Sequence, residues 1–567
     1  MTDTFDYVIA GGGSAGCVLA ARLAEDPKVS VCLVEAGGRG RDMFIRMPAG
    51  NGFVFGNPKL DWGYASTPQQ HLDGRSIYYA RGKALGGTSI VNGMIYMRGV
   101  AADYDSWGQM GLKGWRYAEL LPYFKRAEGS RDRRDQYHGT SGPLKTEPAN
   151  NFGILDQAFM DAAVAAGHPL LDDFNGAERT GVARCDSTVS RGVRQSAAIA
   201  YLKSPPANLN ILTHRQVTKI RTEGRRATAI ETADGSVITA RREIIICQGA
   251  IGTPQLLMLS GIGPADHLRA HGITPVVNLP GVGANLADHL DVSIQYGSSH
   301  AELSHARHQR LDRAAMLMGK WLIAGKGPGS GSLFSVVLFH AFDDPALPEI
   351  EVFMTPMVID ENLSNGSDED APLLHRLGRR LLVRGRKVAR PGIQIDINQE
   401  RPRSVGTIRL ASAQPRDYPL IDPNYLSDPR DMDELLRGVR AMQKVMNQPE
   451  IARYTTGPLG VWKDAESDAD VIAAIRQTAY TGHHLACSAR MGAAADPMAV
   501  LDAELRVRGI DSLRVCDAAA MPTQITGNLY ATVVAMAEKA ADMISGRAAL
   551  SPEDIPEKII SKEKRAS

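Results

Sequence analysis

The sequence has no apolar run approaching the roughly 20 residues that a membrane-spanning helix needs. That argues against a chain threaded through a bilayer. It has no charge excess either: 64 Lys and Arg stand against 63 Asp and Glu. Near neutrality there is no electrostatic reason to expect nucleic acid as a partner. Its six cysteines, Cys17, Cys32, Cys185, Cys247, Cys487 and Cys516, show no paired metal-ligand spacing. Most sit in apolar runs, where buried thiols are common, so no metal is expected and a reducing compartment is the simpler setting. A basic-then-apolar leader is missing, because a strand pattern begins by Phe5. A cytoplasmic protein fits these absences. No repeat of solenoid period is present.

What is there is length and glycine. The 567 residues exceed what one hydrophobic core organises, so two connected domains are expected. FDYVIAG is a short apolar run, SAGCVLAARLAE has helical periodicity, and VSVCLVE is a second buried strand. Gly11, Gly13 and Gly16 fall between the first strand and the helix in G-x-G-x-x-G spacing. The first permits a tight turn, the second lets backbone approach a pyrophosphate, and the third lets helix and strand pack closely. The helix N-terminus favours an anion there. Glu35 ends the second strand, placed to accept hydrogen bonds from ribose hydroxyls. The unit predicts a dinucleotide and does not choose between FAD and NAD.

Further along, residues 60–100 are rich in Gly, Asn and Tyr, the composition of a long functional loop region. Residues 105–130 read as helical, with Trp107, Trp115 and Tyr123 as core anchors. Residues 209–247 alternate apolar and polar, and Asp234-Gly235 marks a hairpin turn. Residues 299–332, ending GKGPGSGS, read as a mobile connection. IEVFMTP, IQIDINQ and GTIRL are strand candidates for a second, antiparallel sheet, and a helix is predicted from Met432 to Met446. SLRVCD reads as a strand and TVVAMAEKAADMI as a closing helix.

Four later segments carry a family resemblance. ARGKALGGTSIVNGMIYMRG (80–99) and GAIGTPQLLMLSGIG (249–263) resemble the two signatures of the glucose–methanol–choline (GMC) oxidoreductases. GVGANLADHLD (281–291) is typical of the same family, and HHLACSARMG with GNLYATVVAMAEKAADMI resembles its active-site segments. Order and spacing match along nearly the whole chain, and within the first hundred residues LDWGYASTPQQ, GRS and RGKALGG resemble the bacterial alcohol and choline dehydrogenase branch. The resemblance implies an FAD that accepts hydride from an alcohol. It places Gly11, Gly13, Ser14, Ala15, Gly16, Glu35, Ala36, Arg81, Gly86, Gly87, Asn92, Gly93, Met94, Ile95, Val217, Gly249, Ala250, Asp517, Ala518 and Leu529 at the cofactor. The N–H groups around Leu529 would face the flavin pyrimidine edge, where a helix N-terminus favours the negative charge of reduced flavin. Some members carry a flavin-linked histidine one residue before the motif asparagine. Here that residue is Val91, which implies non-covalent FAD.

Oxidising an alcohol needs a base for the hydroxyl proton, and histidine suits it. Counted back from Arg490-Met491-Gly492, the resemblance puts that role on His484. His483 becomes substrate-lining or structural, though Leu485 and Ala486 depart from the family pattern and leave His483 as the alternative. The partner position falls on Asn528, which can bond the substrate oxygen but cannot act as a base. Tyr530 is expected to shape substrate access, and His289 to be structural. The same resemblance also covers lyases acting on hydroxynitriles and light-driven fatty acid decarboxylases, and a flavin-holding protein without turnover is a third reading. Electrons would leave to a quinone-like carrier or to oxygen.

The expected architecture is α/β. An FAD-binding Rossmann-like domain comes from residues 1–155, 205–300 and 485–550. A substrate domain with an antiparallel sheet and flanking helices comes from 156–204 and 301–484, with a flexible tail at 551–567. Residues 373–390, LLHRLGRRLLVRGRKVAR, form a basic amphipathic stretch. It reads as a surface or lid helix, or as a contact with anionic lipid that would make the protein peripheral to the inner membrane.

Overall fold

The first strand, β1 (Asp3–Ala10), is apolar through its second half and buried there, so it seeks partners on both sides. The computed structural model, which describes residues 3–360 and 388–555, supplies them in a seven-stranded sheet. Its further strands are β2 (Val31–Val34), β3 (Leu209–Leu212), β4 (Val217–Glu223), β5 (Arg226–Thr232), β6 (Val237–Ile246) and β7 (Leu513–Val515). The order is β3-β2-β1-β6-β5-β4, with β7 also on β6. β1 is parallel to β2 and to β6, and β6 is parallel to β7. β4, β5 and the start of β6 form the antiparallel meander that the alternation predicts. The turn lies at Asp234-Gly235, with Gly235 at φ 83°. Three helices matter to the site: α1 (Ser14–Leu23), α2 (Gly249–Leu259) and α3 (Tyr530–Ser545). α1 and α3 are fastened by the buried Glu538, which accepts from Arg22, Arg126 and Tyr201.

A second, six-stranded sheet runs Tyr480–Thr481, Leu290–Gly297, Gly392–Gln399, Ile350–Thr355, Val336–His340, Gly181–Arg184. Every neighbouring pair is antiparallel. Strict alternation splits its two faces. Val292, Ile294, Ile393, Ile395, Ile397, Val352 and Met354 make one face, buried as core. The other carries Tyr480, Asp291, Asn398 and Glu351 in one row and Ser293, Asp396 and Phe353 in the next. A polar face that is nevertheless buried is unusual for a sheet, and this one roofs the cavity described below.

Several expectations meet this architecture directly. The 105–130 region is two helices, Ala101–Gln109 and Tyr117–Ala127, and Trp107, Trp115 and Tyr123 are all buried. The predicted helix from Met432 begins slightly earlier, at Pro429, and ends at Met446. Two expectations are corrected. The 299–332 stretch holds a 14-residue helix, Leu311–Ala324, stopped by Gly325 at φ 61°. Trp321 anchors that helix by donating to the Gly192 carbonyl. GTIRL lies apart from the six-stranded sheet: Thr407–Arg409 pairs with Leu420–Asp422, and Gly406 bridges Leu286. Of the basic stretch 373–390, residues 373–387 lie outside the described residues, and Val388–Arg390 is a strand paired with Val358–Asp360. Of the 551–567 tail, residues 556–567 also lie outside them. No helix among the described residues is long and apolar enough to cross a membrane.

Candidate active site

The site begins at the glycine turn. Gly11 takes φ 110°, a conformation that L side chains rarely adopt. α1 then starts at Ser14 with no side-chain cap, so its first N–H groups face outward unpaired within the helix. Glu35 closes the turn from the side: its Oε2 accepts from Gly12 N–H (2.9 Å) and its Oε1 from Gly37 N–H (2.7 Å). Burial pushes its carboxyl upward despite these bonds.

Opposite lies Asp517. It accepts from Gly249 N–H (2.8 Å), Thr253 hydroxyl (2.6 Å) and Ala519 N–H (2.8 Å), tying the start of α2 to the loop after β7. These groups open into one cavity of about 1610 Å³. That exceeds the ~300–1,000 Å³ of a typical small-ligand site and leaves room for a dinucleotide together with a substrate.

Of the residues expected at the cofactor, all but Gly16 and Gly86 line this cavity. Those two act from behind. A Cβ on Gly16 would lie 2.0 Å from the Gly11 carbonyl. Gly86 donates its N–H to the Gly12 carbonyl at 2.7 Å. Gly87 holds its loop against the turn, since a Cβ there would stand 2.6 Å from the Gly13 Cα. The cradle thus fits a bound dinucleotide, with backbone exposed where side chains would fill it. Val91 is buried among Ile45, Val54, Ala84 and Ile90. Asn92 is held by a residue that motif spacing did not single out: Arg194, fully buried, donates to its side chain and to its carbonyl (both 2.7 Å).

His484 and Asn528 also meet at this cavity. Asn528 Nδ2 lies 3.1 Å from His484 Nε2. On the other side of the ring, His484 Nδ1 lies 2.9 Å from His289 Nδ1. With the amide nitrogen donating, His484 Nε2 carries the lone pair and Nδ1 carries the proton. The backbone is pinned as well: His484 N–H donates to Asp288 Oδ1 (2.7 Å), and Asp288 takes the Thr481 and Tyr425 hydroxyls on its other oxygen. Burial drives the His484 imidazole well below its ordinary range, and His289, His483 and Arg81 add to this. It is therefore neutral at neutral pH, with its Nε2 lone pair directed at the Asn528 amide. Asn528 Oδ1 is buried with no partner among the described residues, the position of an atom reserved for a ligand.

His483 stands differently. Its backbone is left-handed at φ 64°, its carbonyl accepts from Arg81 (3.0 Å), and its ring lies edge-on to Phe55. The structure brings His484, rather than His483, against Asn528. Tyr530 turns its hydroxyl to the Gln195 carbonyl at 3.2 Å. His289, expected to be structural, is in direct contact with the ring of His484. The only sign of this in the sequence was its place in the quoted segment 281–291.

Family models described as GMC oxidoreductase match residues 5–291 and 402–537. An oxygen-dependent choline dehydrogenase of Burkholderia cenocepacia is 39% identical over 566 residues, 98% of this chain and 96% of that protein. One from Stenotrophomonas maltophilia is 38% identical, covering 97% of each. Among solved structures, pyridoxine 4-oxidase from Mesorbium loti has TM-score 0.81 and 30% identity, covering 96% of this chain and 100% of that one. A formate oxidase from Aspergillus oryzae, solved in work on FAD modification, has TM-score 0.84 and 27% identity over 96% and 98%. An FAD cradle at the glycine turn, an imidazole–amide pair beside it and these matches over nearly the whole length agree: this chain belongs to the GMC oxidoreductase family of FAD-dependent enzymes that oxidise CH–OH groups.

Proposed function

We propose that the chain oxidises a primary or secondary alcohol to its carbonyl, with His484 as base and Asn528 holding the substrate oxygen. The carrying observation is the placement of His484 Nε2 against Asn528, with His289 fixing the opposite ring nitrogen. Bound FAD supplies the hydride acceptor. His484 Nε2 takes the hydroxyl proton, and the developing alkoxide releases hydride more readily. The Asn528 amide steadies the oxygen where charge builds. Lyase, decarboxylase and non-catalytic readings gain no separate support from this arrangement. Electrons leave afterwards to a quinone-like carrier or to dioxygen. Domain boundaries are proposed as 1–155, 205–300 and 485–550 against 156–204 and 301–484, although Leu290–Gly297 pairs within the second sheet.

The sheet roof supports a narrower substrate class. Asp291 and Asp396 both line the cavity, and the Tyr480 hydroxyl bonds to both. Burial drives the Asp291 carboxyl well up, and the neighbouring Asp396 drives it further. Two carboxylates this close ionise together only beside a cation. We therefore propose an alcohol carrying an ammonium group, such as the choline for which the similar dehydrogenases are named. The expected result is anaerobic bleaching of the flavin by amine-bearing alcohols. Asp396→Asn or Asp291→Asn should lower kcat/KM for them by about 10²-fold, in line with a lost buried charge partner, and spare neutral alcohols. Equal losses on both substrate types would refute the cationic reading. If no alcohol bleaches the flavin, the oxidation itself is refuted.

Non-covalent attachment is proposed from Val91, whose buried hydrocarbon environment offers no nucleophile at the histidine position. Acid precipitation should release all the FAD into the supernatant. A yellow pellet would show a covalent link.

A further inference from the structure

We propose that Glu400, paired with Glu351, is a buried proton acceptor that receives the substrate's hydroxyl proton from His484 by way of His289. This rests on His484 being the base. A base in that place has a difficulty after it has acted. The His484 ring is buried and flanked by Arg81, His289 and His483, all of which disfavour an imidazolium. A proton taken at Nε2 is therefore pressed onward. Asp288 touches His484 only through its backbone N–H. The ring's own neighbour on the far side is His289, and beyond His289 lies Glu400, with Oε1 at 3.7 Å from His289 Nδ1. Closing that gap takes about 0.5 Å, of the kind by which catalytic hydrogen bonds tighten once a site is loaded.

The acceptor end is built from the sheet. Glu351 sits directly across from Asn398, and Glu400 follows two residues after Asn398 on the same strand's exit, so the two acids are diagonal neighbours. Both are buried. Glu400 Oε2 accepts the Gly527 N–H, one residue from Asn528, while its Oε1 has no hydrogen-bond donor among the described residues. Neither oxygen of Glu351 meets a donor among them; its neighbour is the Glu400 carboxyl. Such a pair holds one proton between its members. Glu351 keeps its proton, pushed well up by burial and then by Glu400, with Arg179 opposing and Asp291 reinforcing. Glu400 is raised to about 8 by burial, with Asp103 adding and Gly527 N–H, Arg401 and Arg179 opposing. His289 is held down to about 3 by burial, so it passes a proton on and does not store it.

The relay balances. The substrate O–H breaks as His484 Nε2–H forms. His484 gives its Nδ1 proton to the single lone pair of His289 Nδ1, and the His289 ring then turns so that its Nδ1–H faces Glu400 Oε1 and gives the proton up there, turning a carboxylate into a carboxylic acid. Two protons hop, one is transferred net, and no electrons move. Glu400 accepts only when ionised, so transfer strengthens as pH rises through about 8.

The test is anaerobic flavin reduction of the holoenzyme across pH in the native chain, Glu400→Gln, His289→Ala and His484→Ala. Gln at 400 still accepts the Gly527 N–H. The native enzyme should show a limb rising near pH 8. Glu400→Gln should lose that limb and run about 10²-fold slower at high pH, the low end of what a positioned proton-transfer group contributes. His289→Ala breaks the link between His484 and Glu400 and should lose the limb as well. A uniformly slowed Glu400→Gln that keeps its limb would show a structural role and overturn the relay. If that variant does not hold FAD, a limb kept by His289→Ala overturns it instead. Loss of reduction in His484→Ala, with the limb kept in Glu400→Gln, would sink the relay alone; undiminished reduction in His484→Ala would sink the base assignment beneath it.

Discussion

Replacing His484 with Ala should slow flavin reduction by about 10³-fold, within the range of a lost general base, while the purified protein stays yellow. The two halves of that result have separate causes. The rate falls because no other side chain can take its place at Asn528. The His483 ring packs on Phe55, and Asn528 cannot act as a base. The colour stays because the FAD cradle is made elsewhere, from the turn at Gly11, the Glu35 carboxylate and the Asp517 clamp. His484 contributes to the surrounding fold through its backbone N–H and carbonyl, and these survive truncation. Flavin reduction with a saturating alcohol, measured beside the FAD-to-protein ratio, separates the two. A variant that loses rate and flavin together would mean that the imidazole serves the cradle. A variant that loses neither would return the role to His483. His289→Ala should fall between: it leaves Nε2 in place but frees the opposite nitrogen, so the tautomer is no longer held.

How much of this could be read in advance follows the range of the interactions. The glycine turn is local: its spacing, the strand before it and the helix after it lie within the first 35 residues, so the pattern alone reports the geometry. The hairpin at Asp234-Gly235 is local in the same sense. Alternation in IQIDINQ marks a strand, but nothing in it says that Asp396 and Asn398 face a cavity rather than solvent. That depends on which strands lie on either side, and Asp291 comes from more than a hundred residues upstream. The contact between His289 and His484 spans 195 positions and exists only because Leu290–Gly297 and Tyr480–Thr481 are adjacent strands. The Leu311–Ala324 helix failed to register for a different reason. The glycines after it dominate the composition of the stretch, while its register is set by one anchor, Trp321, bonded to a loop at Gly192.

The largest loss is expected at a residue that touches no ligand. Gly16→Ala should yield protein without FAD, because the added methyl would lie 2.0 Å from the Gly11 carbonyl oxygen and 3.1 Å from its carbon. Neither atom can swing aside. Both belong to the turn, and Gly11 is itself confined by the end of β6: a Cβ at Gly11 would meet the Cys247 carbonyl at 2.4 Å. α1 must then back away from β1, and its unpaired N–H groups leave the place where the pyrophosphate would meet them. Overpacking of this kind costs about 1–3 kcal/mol or more in a tight interior, and the lost cofactor removes the stabilisation that a tight ligand confers. A matched control lies away from the cavity. Gly235, in the hairpin turn, has φ 83°, and a Cβ there meets no atom within 4 Å. Gly235→Ala therefore carries only the left-handed backbone penalty of about 1–2 kcal/mol, and it should keep its flavin. Absorbance at the flavin bands against protein concentration, with thermal unfolding of both variants, compares them. If Gly16→Ala and Gly235→Ala retain FAD equally, close packing at the third glycine is not what holds the cradle, and the spacing of the motif would need another cause.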